Sequence, residues 1–373
     1  MLYPHGGDTL SYQEAYGRDP IDFSANLNPL GTPPAVQEAV RRSAALCAAY
    51  PDPFCRRLRH ALAEHEGVAE ESVLLGNGAA DLIFRLAYAL RPTRALLLAP
   101  TFSEYETALT AAGCSCSFYP LREEDGFRLT SDFLFHLADG WDLVFLCNPN
   151  NPTGQPIPRD LLEEILLQCE KRGTLLAVDE CFTSFLDEPD AYSLKPFLAE
   201  HPKLFLLGAF TKLYAMAGLR LGWCFCSDRV LLDEMERSAQ PWSVSTPAQE
   251  AGLAALSETE FVRRSRELVR TQREWLRREL TALGMQVYGS HANYMFFRSP
   301  VTDLGEMLSK MESFCARAQT TARSGRITIA RRCVCRRKTR RLSGPCGIAS
   351  GKGTTHHEKP ACRFCRSEST GTV

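Results

Sequence analysis

From residue 73 to 227, short apolar runs alternate with amphipathic stretches, and this alternation constrains the fold more than any other feature of the chain. The runs are SVLLG, RALLLAP, DLVFLCNP, TLLAVDE, KLFLLGA and GWCFCS. Each is continuously apolar and bounded by turn residues, the pattern of a parallel strand buried on both faces. An α/β domain with a mostly parallel sheet is therefore expected. In such sheets ligands collect where strands end at their carboxyl edge. The residues just beyond the runs are thus the ones to weigh.

The flanks are organised differently. Residues 1–34 are loop-rich and close on the polar, Pro- and Gly-rich SANLNPLGTPP. Helical patterns follow at Ala35–Ala49 and Arg57–Glu66. A long helical region opens at the cap-like Ser245-Thr246-Pro247 and reaches about Leu283. The spacings Glu267/Arg270 and Glu274/Arg278 predict a solvated face, with no need for a nucleic-acid partner. The strand-like ANYMFFR (292–298) then opens a small C-terminal α+β domain.

Four segments sit at predicted strand ends. GNGAAD (76–81) follows SVLL and precedes a helical pattern, so its backbone N–H groups suit a phosphate at a helix N-terminus. DLVFLC runs into NPNNPTG (148–154), TLLAV into Asp179, and KLFLLGA into Phe210-Thr211-Lys212. Singly, each reads as readily as ordinary structure. A Gly-Asn-Gly turn is usually a turn, NPTG fits a turn before a helix cap, Asp179 beside Glu180 fits a surface pair, and a lysine after a strand is usually solvated. Their order, closed by Gly218-Leu219-Arg220-Leu221-Gly222, is what persuades.

Over about residues 20–300 that order resembles the fold-type I pyridoxal-phosphate (PLP) enzymes of the aminotransferase class I/II superfamily. The resemblance implies a fold-type I PLP-dependent transferase, with a large α/β domain built on a mostly parallel sheet plus a smaller α+β domain. It also implies PLP held as a Schiff base on Lys212, whose amine forms an imine once it is a free base. Asp179 would keep the pyridine nitrogen protonated so that the ring acts as an electron sink. Asn151 would bond the ring hydroxyl and Phe102 stack on the ring. Gly78, Ala79, Ala80, Thr211 and Arg220 would hold the phosphate, with Tyr50 reaching it from the partner subunit of a homodimer. Ala209 stands where many relatives have Ser or Thr, and Phe182 where aminotransferases of this branch have tyrosine.

Within the superfamily the chain is similar to threonine-phosphate decarboxylases of cobalamin synthesis. His5-Gly6-Gly7, the segment Asp22-Phe23-Ser24-Ala25-Asn26-Leu27-Asn28-Pro29-Leu30-Gly31, and YPDP, PTFSEYE, FTKLYAMAGLRLGW, QPWSV and ANYMFFR carry the likeness. It implies a phosphorylated amino acid as substrate, L-threonine O-3-phosphate, converted to (R)-1-amino-2-propanol O-2-phosphate. His5, Asn28, Leu30 and Gly31 would contact it. Histidinol-phosphate aminotransferase shares most of the cofactor motifs and is the alternative.

Composition matters at the C-terminus. The formal net charge of −1 hides a division: residues 311–373 carry 14 Lys+Arg against 3 Asp+Glu, leaving 29 and 41 for residues 1–310. Only nine large apolar residues occur in that tail, a composition that predicts disorder. The family motifs expected there are missing. Codons chosen for Arg317–Thr321, Arg326–Ala330 and Arg336–Thr339 and regrouped by one base read Cys-Ala-Asn-Tyr, Tyr-Tyr-Tyr-Arg and Glu-Glu-Asn. These restore the missing motifs in order, which implies a change of reading frame at about Met307–Phe314. A genuine tail would instead offer zinc ligands in Cys362 and Cys365 with His356 and His357, joined by Cys333 and Cys335, and an Arg-rich stretch (331–341) for nucleic acid.

The expected organisation is an N-terminal segment (1–45) serving the small domain and the substrate site, then a PLP-binding large domain (46–245). A connecting helix with the start of the small domain (246–310) and a basic, Cys-rich tail outside the family (311–373) complete it. No metal site is expected in the family region. MLYPHGGDTLSYQEAYGRD lacks the basic start and apolar stretch of a signal peptide, and no apolar run approaches the ~18 residues of a membrane span. A cytoplasmic enzyme is expected, with no membrane partner and with its first nine cysteines as thiols.

Overall fold

The computed structural model describes residues 6–302, 304–310, 313–314, 317–318 and 328–332. The chain opens with α1 (Thr9–Tyr16), β1 (Ile21–Asp22), α2 (Pro34–Ser43) and α3 (Arg56–Glu66). The central sheet is then built from β2 (Val73–Gly76), β3 (Arg94–Ala99), β4 (Ser115–Pro120), β5 (Leu143–Cys147), β6 (Leu175–Asp179), β7 (Leu204–Ala209) and β8 (Gly222–Cys226). Between these strands lie α4 (Ala79–Leu90), α5 (Glu104–Ala111), α6 (Phe133–His136), α7 (Arg159–Lys171) and α8 (Phe210–Leu213). Helices α9 (Arg229–Arg237), α10 (Thr246–Leu256) and α11 (Thr259–Ala282) lead to the small domain, with β9 (Gln286–Val287), β10 (Tyr294–Arg298) and α12 (Leu304–Lys310).

The sheet runs in the order β2-β8-β7-β6-β5-β3-β4. Strands β7, β6, β5, β3 and β4 pair in parallel, while β8 is antiparallel to both β7 and β2. GWCFCS, read with the parallel runs, is therefore the exception. The chain between Ala209 and Gly222 only turns back over the sheet edge, whereas a parallel return needs a crossover to the far end. Every residue of β5 and β6 is buried, as continuous apolar runs require. One face packs Phe145, Ala177, Leu207 and Cys224 against Leu82 and Leu86 of α4. The other packs Leu96, Val144, Leu176 and Leu206 against Leu58, Leu162 and Ala251, from α3, α7 and α10.

The helical region expected over 245–283 is two helices. Ser245 caps the first by accepting from the Ala248 N–H, and the chain breaks at Ser257–Glu258 before α11. The acid–base pairs on α11 join Arg263 to Glu260 and Glu267, and Arg277 to Glu274, in place of the pairs expected. In β10 the side chains alternate: Tyr294 and Phe296 face the main core, Met295 and Phe297 the small-domain cluster of Trp275, Leu276 and Leu280.

Part of the stretch expected to be disordered is strand. β11 (Ser313–Phe314) pairs in parallel with β1, and β12 (Arg317–Ala318) pairs with β13 (Thr328–Arg332), itself antiparallel to β10. Backbone hydrogen bonds, which ignore side-chain composition, cover the β10 edge that the sequence left open. The rest of 311–373 except for these strands, including the zinc-ligand candidates, lies outside the described residues. The nine cysteines from Cys47 to Cys226 are free thiols, six of them buried. No described helix is long and apolar enough to cross a membrane.

Candidate active site

The carboxyl ends of β5, β6 and β7 meet the start of α4 on one edge of the sheet. Asp179 closes β6 and is 5% exposed. Its Oδ1 accepts from the Cys181 N–H at 2.9 Å and its Oδ2 from the Tyr105 hydroxyl at 2.7 Å. Burial raises the Asp179 pKa, and the Cys181 and Tyr105 donors and the Lys212 charge offset this only in part. Tyr105 stacks on Phe145 at 4.2 Å and meets Phe102 edge-on at 5.5 Å. Glu180, one residue on, points to the opposite face and is also buried, so these two acids are no surface pair.

Lys212 lies in α8, the short turn that follows β7. Its Nζ lies 5.4 Å from the centroid of the Phe182 ring, which stands edge-on to Tyr294 of the small domain. The turn is clamped from the N-terminal segment. The Asn28 backbone N–H donates to the Lys212 carbonyl at 3.0 Å. The Asn28 side-chain amide donates to the Leu213 carbonyl at 2.6 Å and Ser265 Oγ at 2.7 Å, while its Oδ1 accepts from the Leu30 N–H at 3.0 Å. Asn28, expected at the substrate, thus has its side chain committed to the lysine turn. Leu30 and Gly31 are half-buried beside it, and Gly31 turns the chain at φ +79°. His5 lies outside the described residues.

A third group forms an anion cradle. Gly78 caps α4 at φ +85°, and a Cβ there would stand 2.7 Å from Arg220 Nη2. Across the junction, a Cβ on Gly222 would reach the Ala79 nitrogen at 2.5 Å, so β8 lies directly against the helix start. The outcome is an exposed guanidinium beside the unpaired N–H groups of Ala79 and Ala80, with Thr211 buried in α8. This donor set fits a phosphate monoester. With Asp179, Phe102 and Lys212 grouped at the same sheet edge, the residues present fit PLP.

The asparagines of NPNNPTG divide their work. Asn148 donates to the Tyr192 carbonyl and accepts from the Ile157 N–H. Asn150 accepts from Thr101 Oγ1 and donates to the Pro100 carbonyl and Thr153 Oγ1. Both shape the loop, and Asn151 is half-buried on it. Tyr50 is elsewhere on the surface, 78% exposed and stacked on Trp242 at 4.3 Å. Sequence reasoning missed Tyr105 and Ser265. The first was marked only by its place three residues after Phe102 in PTFSEYE, and the second carries no local signal.

The aminotransferase class I and II family model matches residues 18–332. A threonine-phosphate decarboxylase from Salmonella typhimurium is 36% identical over 304 residues, 80% of this chain and 83% of that protein. A histidinol-phosphate aminotransferase from Oleidesulfovibrio alaskensis is 37% identical over 307 residues, 80% of this chain and 78% of that protein. Among solved structures, the histidinol-phosphate aminotransferase from Sinorhizobium meliloti in complex with pyridoxal-5'-phosphate shares the fold at a TM-score of 0.81 and 20% identity. That likeness covers 92% of this chain and 93% of the other.

Proposed function

The chain belongs to the class I and II aminotransferase family of PLP-dependent enzymes, and from that premise we propose that it removes carbon dioxide from L-threonine O-3-phosphate. One observation carries the choice of reaction. The SANLNPLG segment, which resembles the start of threonine-phosphate decarboxylases, is bonded through Asn28 to the turn that bears Lys212. The 36% identity to the Salmonella enzyme supports the same reading.

Bound PLP supplies a carbonyl carbon for amines and a ring that accepts an electron pair. The chain's residues do the rest. Arg220 and the Ala79 and Ala80 N–H groups hold the phosphate, Phe102 covers a ring face, Asn151 holds the ring hydroxyl, and Asp179 holds the proton on the ring nitrogen. Lys212 would bind the cofactor, and its Nζ, holding a proton taken from the substrate ammonium, would return it to Cα as general acid. Contacts that hold the substrate carboxylate in place of the Cα–H at the reacting position would select decarboxylation over proton removal. Phe182 leaves the space beside Lys212 without the hydroxyl of a tyrosine.

The histidinol-phosphate aminotransferase relative supports transamination as a second reading. Carbon dioxide release from threonine phosphate, against 2-oxoglutarate-dependent amine transfer from histidinol phosphate, separates the two. A third reading is a PLP-binding protein of low turnover, its anion-binding arginines lost through a frame change near Met307–Phe314. Sequencing the gene across codons 300–345 tests it, since the offset frame must then encode a YYRxAVR-like segment. A homodimer is part of the proposal, supported by the exposed, stacked Tyr50 and Trp242 beside exposed Phe54.

A further inference from the structure

Asp179 is buried at the end of β6, where an isolated carboxylate would take up a proton and lose its hold on a pyridinium. The groups facing it are Tyr105 from α5, Cys147 from β5, Cys181 from the following loop, Lys212 from α8 and, from β10, Tyr294, whose hydroxyl is given to the Asn150 carbonyl. The thiols are weak donors. The Cys181 N–H serves Oδ1 at 2.9 Å, and the Tyr105 hydroxyl serves Oδ2 at 2.7 Å. Tyr105 is fully buried, and its ring is fixed by stacking on Phe145 at 4.2 Å. The same ring meets Phe102 at 5.5 Å, so one side chain touches both the ring-stacking residue and the carboxylate.

We propose that Tyr105 is a positioning residue whose hydroxyl orients the Asp179 carboxylate and keeps it ionised, so that the proton shared with PLP stays on the ring nitrogen. This rests on the reading of Asp179 as the partner of that nitrogen. Burial, with the Asp179 charge beside it, holds the phenol protonated far beyond neutral pH, so it acts only as a donor to Oδ2. Without that donor the carboxylate binds the shared proton more tightly. The proton then passes from nitrogen to Oδ2, with no change in total protonation, and the ring loses its positive charge.

The test uses the holoenzyme loaded with PLP labelled with 15N in the ring, in wild type, Tyr105→Phe and Asp179→Asn. The phenylalanine keeps the stacking and removes only the hydroxyl. A hydrogen bond to a charged group is worth about tenfold or more in the position of such an equilibrium. In Y105F, at fixed pH, the ring-nitrogen resonance should therefore move toward that of neutral pyridine, with kcat about tenfold lower and KM little changed. Fluorotyrosine at position 105, a stronger donor of nearly the same shape, should move the resonance the opposite way, and it keeps the proposal testable if Y105F folds poorly. A resonance that moves in D179N but not in the Tyr105 variants overturns the proposal and leaves Asp179 in its role. No movement in D179N overturns the Asp179 reading and this proposal with it.

Discussion

The backbone amide of Asn28 donates to the carbonyl of Lys212 at 3.0 Å, while the Asn28 side chain bonds Leu213 and Ser265 on either side. One residue of the N-terminal segment therefore ties that segment, the lysine turn and α11 together. Asn28→Ala strips buried partners from the Leu213 carbonyl and Ser265 Oγ. A loss of about 1–3 kcal/mol in unfolding free energy is expected, read by chemical denaturation, together with slower attachment of PLP.

Gly78 meets two demands at once, a φ of +85° and the approach of Arg220 Nη2 to within 2.7 Å of where a Cβ would be. In Gly78→Ala the guanidinium must move out of the cradle. PLP affinity is expected to fall about tenfold or more, in line with losing one charge-assisted hydrogen bond, as measured by equilibrium dialysis. Unchanged affinity would remove the cradle from the account.

Glu180 faces a cavity of about 460 Å³ shared with His65, Glu66, Lys195 and Tyr214. Burial pushes its pKa up to about 7, with the Ser193 hydroxyl and the Leu194 N–H countering in part. Because the folded state holds this proton above the unfolded carboxyl's ordinary 4.5, stability from Glu180 is present at low pH and declines as pH rises toward 7. The decline is on the order of 3 kcal/mol. Glu180→Gln should flatten the wild-type curve across that window in urea unfolding. Parallel curves would contradict it.

Tyr50 and Trp242 stack in the open, 78% and 44% exposed, an arrangement that leaves large apolar rings in water. If they meet a second copy, Trp242→Ala should weaken self-association about tenfold or more, seen by sedimentation, with the monomer's fold intact. A wild-type monomer at all concentrations would contradict the homodimer.

The buried strands were legible because burial on both faces leaves a continuous apolar run, as in LVFLC and LLAVD. β4 was not, because an edge strand needs little apolar surface and SCSFYP has one buried side chain, Tyr119. The antiparallel direction of β8 was hidden too, since a strand buried on both faces reads the same either way. Lys212, Asp179 and Gly78 were visible as strand-end residues, and Arg220 by the Gly-Leu-Arg-Leu-Gly run that closes their order. The contacts of Tyr105 with Asp179, 74 positions apart, and of Asn28 with Ser265, 237 apart, are made by tertiary packing, which no local spacing encodes.

The most direct measurement is carbon dioxide release from L-threonine O-3-phosphate by the PLP-loaded protein, with no 2-oxo acid present. The expected result is stoichiometric release with formation of 1-amino-2-propanol O-2-phosphate, falling by roughly 10²–10⁴-fold in Lys212→Ala as expected for loss of a general acid. PLP bound at Lys212 with no release of carbon dioxide, and amine transfer from histidinol phosphate in its place, would contradict it.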